Sequence, residues 1–224
     1  MNAVKTEVRA GRRRAGVAQP RRPDRPVQIL GAACRAILAR GFAATRIVDI
    51  AREAGTSTGT IHYYFEVKDD VLIAALTWAS EQLFDRLDEA MAGDEPNAAK
   101  LGRMLDFAPP YKGALRDEYV LWIELWTRVL HDPDLLDECE AISGRWRGYF
   151  LEVVRCGTAS GEFEPVAEPD EVANRLIALI DGLSFEAVVG YHWTSPELVH
   201  ERLLVFAAEQ LRVPRAALER KEER

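Results

Sequence analysis

Apolar residues in this chain recur at steps of three and four, and no segment sustains an alternation of apolar and polar positions. That feature limits the fold more than any other. A spacing near 3.6 lines up one face of a helix, whereas a strand buried on one face needs a period of two. The chain is therefore expected to be all-α. With 224 residues, 48% of them hydrophobic, it holds enough apolar material for a sizeable core.

The stretch Thr45 to Lys68, TRIVDIAREAGTSTGTIHYYFEVK, is where function concentrates. Before it, Pro26 to Arg40 reads as a first helix, with Val27, Leu30, Cys34, Ile37 and Leu38 as its stripe and Ile29 and Ala33 on the edges. Gly41 closes that helix, because glycine tolerates the left-handed conformation of a helix end. Phe42 offers an apolar anchor. Thr45 is expected to cap a second helix through its hydroxyl, with Ile47, Ile50 and Ala51 inside and Gly55 at its end. Ser57 caps a third, very short helix reaching Tyr64. In it Ile61 and Phe65 face inward, which leaves Thr58, Thr60, His62 and Tyr63 outside. Two short helices about a glycine turn form the helix-turn-helix pattern. Small hydroxyl residues at its outer end make poor catalytic material and suit the major groove of DNA.

Beyond it a long fourth helix runs from Lys68 to Met91, with Val71, Leu72, Ala75, Trp78, Ala79, Leu83 and Leu87 on its apolar face. Ala92 to Asn97 reads as a linker. Helical patterns resume over 98–107 and 113–131, and Asp132 with Pro133 has the cap-and-proline signature of a further helix start. Its inner face carries Leu135, Leu136, Cys139, Ile142, Trp146, Tyr149, Phe150 and Val153. Gly157 to Pro165 is a loop, Pro169 opens a helix reaching about Gly190, and Ser195 with Pro196 opens a last one to Leu211. The charged tail after Pro214 is expected to fray.

The net charge of −7 at first opposes a polyanionic partner, but its distribution does not. Residues 1–26 hold eight Lys/Arg against Glu7 and Asp24, a local +6 on an otherwise acidic chain. Residues 1–25 are read as a disordered basic arm, which either only solubilises the chain or touches phosphate once DNA is present. The segment 27–70 is itself balanced, with Arg35, Arg40, Arg46, Arg52 and Lys68 against Asp49, Glu53, Glu66, Asp69 and Asp70. A neutral head holds a polyanion weakly as one copy, so two copies are expected.

Other function classes find little support. Cys34, Cys139 and Cys156 are far apart and odd in number, which fits a reducing cytoplasm and speaks against disulfides or a zinc site. Cys34 reads as a core residue of the first helix. No run of about 18 apolar residues suggests a membrane span. The four histidines form no HExxH pair, and no GxSxG, Walker loop or GxGxxG occurs, so neither an enzyme nor a cofactor or metal is expected.

The segments ARGF (39–42), Thr45, DIA (49–51), AGTSTGTIHYYF (54–65) and Lys68, followed by a long helix, resemble the DNA-binding domain of the TetR family of bacterial transcriptional regulators. His62 stands where that family often has tyrosine. YVLWIELWTRVLHDPDL (119–135), the segment 145–155 and LIALIDGL (176–183) resemble the C-terminal domain of BetI-type members. The resemblance implies a helix-turn-helix three-helix domain over 26–70 and a larger helical ligand-binding and dimerisation domain over 71–214, with 215–224 a charged tail. It implies contacts to double-stranded DNA from Thr45, Arg46, Ser57, Thr58, Gly59, Thr60, His62, Tyr63, Tyr64 and Lys68. It also implies a cytoplasmic homodimer, released from a palindromic operator by a small-molecule effector. Repression follows only because most of the family blocks promoters. An activator, or a head that binds another protein, is the alternative.

The body is rich in large aromatics. Trp78, Trp122, Trp126, Trp146 and Tyr149, with Asp181, could frame a pocket for a cationic or amphipathic ligand; as single residues, tryptophans at helical spacing are more often core. Glu124 sits four residues before Arg128 and reads as one half of a surface ion pair. Ala178, Gly182, Phe185 and Val188 are small or apolar enough for close helix approach across a dimer axis.

Overall fold

A computed structural model describes residues 25–219, and every described element is helical. The expected basic arm, apart from Arg25, and the last five residues lie outside the described part. Three short helices, α1 (Arg25–Arg40), α2 (Ile47–Glu53) and α3 (Thr58–Tyr64), form the head. The body comprises α4 (Lys68–Met91), α5 (Asn97–Phe107), α6 (Ala114–His131), α7 (Leu136–Ala159), α8 (Pro169–Val189), α9 (Pro196–Leu211) and a short α10 (Arg215–Leu218). A 3₁₀ turn, Pro133–Leu135, leads into α7, so the helix expected to open at Pro133 starts one turn later.

Sequence explains most of the boundaries. Gly41 takes φ 78° at the end of α1, and Gly55 takes φ 60° after α2. Ser57 Oγ accepts the N–H of Thr60 at 3.1 Å, and Ser195 Oγ that of Leu198 at 3.3 Å, each serving a donor the helix leaves unpaired. Aspartate does the reciprocal job at α2 and α4: Asp49 accepts the N–H of Arg46, and Asp70 that of Val67.

Four expectations are corrected. The stripe of α1 is rotated, because Ile29 and Ala33 are fully buried whereas Val27 is 39% exposed. Arg46, not Thr45, is the N-cap of α2. Asp132 stands at the N-cap of the 3₁₀ turn but its side chain accepts no capping hydrogen bond; its carboxylate lies 2.8 Å from Arg128 instead. The tail after Pro214 does not fray at once. α10 lays its backbone against α5, so close that a Cβ on Gly102 would stand 1.9 Å from the Leu218 carbonyl oxygen, and Leu218 is buried.

One apolar core runs from the head through the body. Ile29, Ile37, Ile50 and Ile61 close the head against Val71, Leu72 and Ala75 of α4, and Phe84, Leu101, Phe150, Leu176 and Leu203 continue the core outward. Cys34 is buried as expected, its thiol donating to the Ala75 carbonyl at 3.3 Å, and burial pushes that thiol up to about 11. The head is therefore seated on the first turns of α4. Any movement of α4 carries the head with it.

Candidate DNA-reading head and effector cleft

The short α3 turns its outer face wholly to solvent. Ile61 is fully buried beneath it, while Thr58, Gly59, His62, Tyr63 and Tyr64 are exposed, Tyr63 by 81%. The two tyrosine rings meet edge to face at 4.9 Å, which steadies both hydroxyls at one end of the helix. Ser57 and Thr60 hold each other, their hydroxyl oxygens 3.0 Å apart. A Cβ on Gly59 would meet only Ser57 Oγ, at 3.6 Å, so nothing inside the chain demands glycine there.

Thr45 departs from expectation. Its side chain is fully buried, and its hydroxyl donates inward to the carbonyls of Gly41 at 2.8 Å and Ala36 at 3.3 Å. It locks the turn between α1 and α2 and does not face phosphate, because both its proton and its exposure are spent inside.

The charges of the head resolve into internal pairs. Arg35 binds Glu53 at 2.7 Å, and Arg40 and Arg52 both approach Asp49, at 3.9 and 3.6 Å. Among the described residues this leaves Arg25, which bonds Gln28, Arg46, exposed beside α2, and Lys68, at the start of α4, without a carboxylate. Lys68 Nζ lies 5.8 Å from the centre of the Phe42 ring, which orients it without neutralising it.

The body holds a cleft lined from α4, α5, α6, α7 and α8. Trp122 and Trp126 of α6, Trp146 of α7 and Asp181 of α8 line it, as expected from the sequence; Glu118 and Tyr119 were not anticipated. Two expected members are elsewhere. Trp78 packs its ring against Gly31 of α1, and Tyr149 stacks on Phe84 with its hydroxyl bonded to the Asp88 carboxylate. Both share the helical spacing of the pocket tryptophans but sit on other faces.

The two carboxylates of the cleft are not equivalent. Arg86 Nη2 reaches both oxygens of Glu118 at 2.6 Å, so that charge is already balanced. Asp181 has no such partner. Its backbone carbonyl accepts the Tyr119 hydroxyl at 2.6 Å, and burial pushes its carboxyl up to about 6. A carboxylate desolvated among indoles, with no cation of its own, favours a positive guest.

The cleft is tied to the head through α6. Glu124 Oε2 accepts the backbone N–H of Phe42 at 2.9 Å, and Arg128 bonds Asp69 at the start of α4 at 2.8 Å. The expected pairing of Glu124 with Arg128 therefore does not form. Each reaches the head instead. Nothing local in the sequence marks Glu124 for a partner 82 positions upstream.

On α8, Ala178, Gly182 and Phe185 are exposed along one line, and a Cβ on Gly182 would meet nothing within 4 Å. Val189, 50% exposed, continues that line better than the half-buried Val188. Leu198 and Val205 are the exposed apolar residues of the neighbouring α9. Among the described residues no cluster of three acidic, His or Cys side chains could hold a metal, and no helix is long and apolar enough to cross a membrane.

Comparison with known proteins agrees with this arrangement. Residues 29–75 match the model of the tetR family of bacterial regulatory proteins, and residues 97–212 match that of the BetI-type transcriptional repressor C-terminal domain. The regulator PksA of Bacillus subtilis is 30% identical over 163 residues, spanning 72% of this chain and 78% of its own. BetI of an Escherichia coli O45:K1 strain is 26% identical over 190 residues, 82% of this chain and 92% of its own. A transcriptional regulator from Saccharomonospora viridis, solved in complex with choline, superposes with a TM-score of 0.77 at 34% identity, covering 84% of this chain and 97% of that one.

Proposed function

Because the chain belongs to the TetR family of bacterial transcriptional regulators, with a BetI-type C-terminal domain, we propose that it is a cytoplasmic dimeric repressor that binds a palindromic operator and is released when a small organic cation enters the aromatic cleft. As a member of that family it is a DNA-binding regulator and not an enzyme. On this reading α3 enters the major groove. Thr58, Gly59, Thr60 and His62 face the bases, and Arg46, Tyr63, Tyr64 and Lys68 face phosphate. The exposure of Arg46, Thr58, Gly59, His62, Tyr63 and Tyr64, with Thr60 and Lys68 half-exposed beside them, no internal role for Gly59 and no carboxylate on Arg46 or Lys68, supports those assignments. Ser57 contributes by holding the end of α3 and Thr45 by holding the turn before α2.

The dimer forms through α8 and α9, with Ala178, Gly182, Phe185 and Val189 at its centre and Val188 at its edge. It sets two heads roughly 34–36 Å apart, one turn of duplex, so that two weak footholds become one firm grip.

For the effector, the Saccharomonospora viridis relative binds choline, a quaternary ammonium ion. Three tryptophans, Tyr119 and the unbalanced Asp181 suit a guest of that class here. The observation that carries the whole reading is that α6 lines the cleft with Trp122 and Trp126 and holds the head with Glu124 and Arg128. A guest that shifts α6 changes how the head is seated. A coupling of about 1–3 kcal/mol suffices for a change of about 5–150-fold in DNA affinity.

Retention of duplex DNA from upstream of the protein's own gene tests the assignment. The full-length wild type should hold that DNA, and the double variant Tyr63→Phe, Lys68→Ala should not. Equal retention by both would remove α3 and its neighbours as the contact surface.

A further inference from the structure

Two ion pairs tie α6 to α4. Beside the head, Arg128 bonds Asp69 at 2.8 Å; toward the far end of α4, Arg86 bonds both oxygens of Glu118 at 2.6 Å. Of these four side chains only Glu118 lines the aromatic cleft. Its pairing with Arg86 is balanced in charge but poor in hydrogen bonds. A guanidinium that meets a carboxylate as a fork offers it two nitrogens. Here Nη2 serves both oxygens alone, and Nε is buried with no hydrogen-bond partner among the described residues. A buried donor left unmet offsets part of what the pair contributes, so this end of α4 is held by a contact that loses little on rearranging. Burial also raises the Glu118 carboxyl above its ordinary value, in spite of the adjacent guanidinium.

We propose that Glu118 is the second carboxylate of the effector site: a cation entering beside Asp181 draws Glu118 off Arg86 and so opens one of the two ties between α6 and α4. This rests on the cation-binding reading of the cleft and adds the residue that converts occupancy into release. Glu118 and Asp181 are brought to one wall, because Tyr119, the next residue of α6, bonds the Asp181 carbonyl. The guest attracts Glu118 and repels Arg86. Both forces act strongly, since the Glu118 side chain is only 16% exposed and little water screens it. As Glu118 turns toward the guest, the far end of α4 loses its polar hold on α6. The hydrogen bonds of Arg128 and Glu124 then remain to seat the head against α6. The pair beside the cleft is thus the one that answers to the guest, and the contacts beside the head receive the movement.

The test titrates the full-length protein by calorimetry with tetramethylammonium in the wild type, Arg86→Met, Glu118→Gln and the double variant. Arg86→Met frees Glu118 for the guest and should tighten binding. That gain should be at least about threefold larger with Glu118 present than in the Glu118→Gln background. Equal gains in both backgrounds would mean that Arg86 acts on the guest only as a distant charge, and would overturn the inference. Arg86→Gln keeps a donor for Glu118 and replaces Arg86→Met if that variant does not fold. DNA retention is followed in parallel. The double variant lacks the tie from the start, so without ligand it should hold DNA from upstream of the protein's own gene more weakly than the wild type does. Tetramethylammonium should then weaken it further by a smaller factor. A factor equal to that of the wild type would overturn the role of the pair in release. Failure of tetramethylammonium to bind the wild type would overturn the cation reading of the cleft together with this inference; binding without coupling between Arg86 and Glu118 would overturn this inference alone.

Discussion

Glu124 of α6 accepts the backbone N–H of Phe42 at 2.9 Å, so a carboxylate of the body closes the turn between the first two helices of the head. Gly41 precedes it at a backbone φ of 78°, a conformation that strains any side chain, although a Cβ there would make only ordinary contact with Glu124 Oε1 at 3.4 Å. Arg128, one turn along α6, places its guanidinium 5.8 Å from the Phe42 ring and bonds Asp69 of α4. The head is thus gripped from the helix that lines the cleft as well as from the helix that follows it.

Glu124→Ala removes a hydrogen bond to a charged acceptor and should cost about 1–3 kcal/mol of stability by chemical denaturation. Its more telling effect is on coupling. The ratio of DNA affinities with and without a bound quaternary ammonium ion should shrink toward one, read by fluorescence anisotropy. A ratio equal to that of the wild type would mean that α4 alone carries the signal.

Thr45→Val keeps the shape of a buried side chain and deletes its inward hydrogen bonds to Gly41 and Ala36. Stability should fall by about 1 kcal/mol or somewhat more, since two carbonyls lose a donor. The slope of DNA affinity against salt should not change, because no phosphate contact is lost. A slope reduced by about one would restore Thr45 as a phosphate ligand.

Asp181 gives the cleft a pH dependence. Burial raises its carboxyl from the ordinary 3.8 to about 6, so in the empty protein it is ionised only above that value. Cation affinity should be full at pH 7.5 and fall by up to about tenfold per pH unit below 6, and Asp181→Asn should abolish that slope. Stability runs the opposite way to the usual carboxylate. Between 3.8 and 6 the folded protein holds the proton that the unfolded chain releases, so stability drops as pH rises through this window. Asp181→Asn should therefore raise the melting temperature at pH 7.5 and leave it almost unchanged at pH 3.5. A gap that is the same at both values would show that the carboxyl is not destabilised by burial.

Gly102→Ala inverts the usual rule that alanine stabilises a helix interior. The added Cβ would meet the Leu218 carbonyl oxygen at 1.9 Å, and backbone cannot yield as a side chain can. The substitution should cost about 1–3 kcal/mol. In a chain ending at Val213 it should instead be neutral or favourable, because the obstructing turn is gone. An equal penalty in both backgrounds would place the strain elsewhere.

The head was legible in the sequence because local signals write it. Glycines end its helices, Ser57 caps α3, and the inward residues Ile50 and Ile61 fall at helical spacing. The cleft was legible in part. Trp122, Trp126, Trp146 and Asp181 converge as their apolar neighbourhoods suggested, yet Trp78 and Tyr149 share that spacing and point elsewhere, since spacing fixes a face and not what the face meets. Glu118 and Tyr119 escaped notice because one is charged and the other ordinary in an apolar run. Glu124 is not legible locally, because Arg128 offers a partner at i+4 whereas the true partner is a backbone N–H remote in sequence. The docking of α10 depends on a glycine whose neighbour lies more than a hundred positions away, and no periodicity reports that.

Whether the body governs when the head can bind is tested most directly by quantitative footprinting of the protein on DNA from upstream of its own gene, with and without a quaternary ammonium ligand. Two protected patches related by a palindrome are expected, centred roughly 34–36 Å apart on the duplex. Both should fade together as ligand is added, with half-protection shifted by at least about fivefold in protein concentration. A single patch, or two patches that the ligand leaves unchanged although calorimetry shows it bound, would contradict the claim that the body governs when two copies of the head can bind.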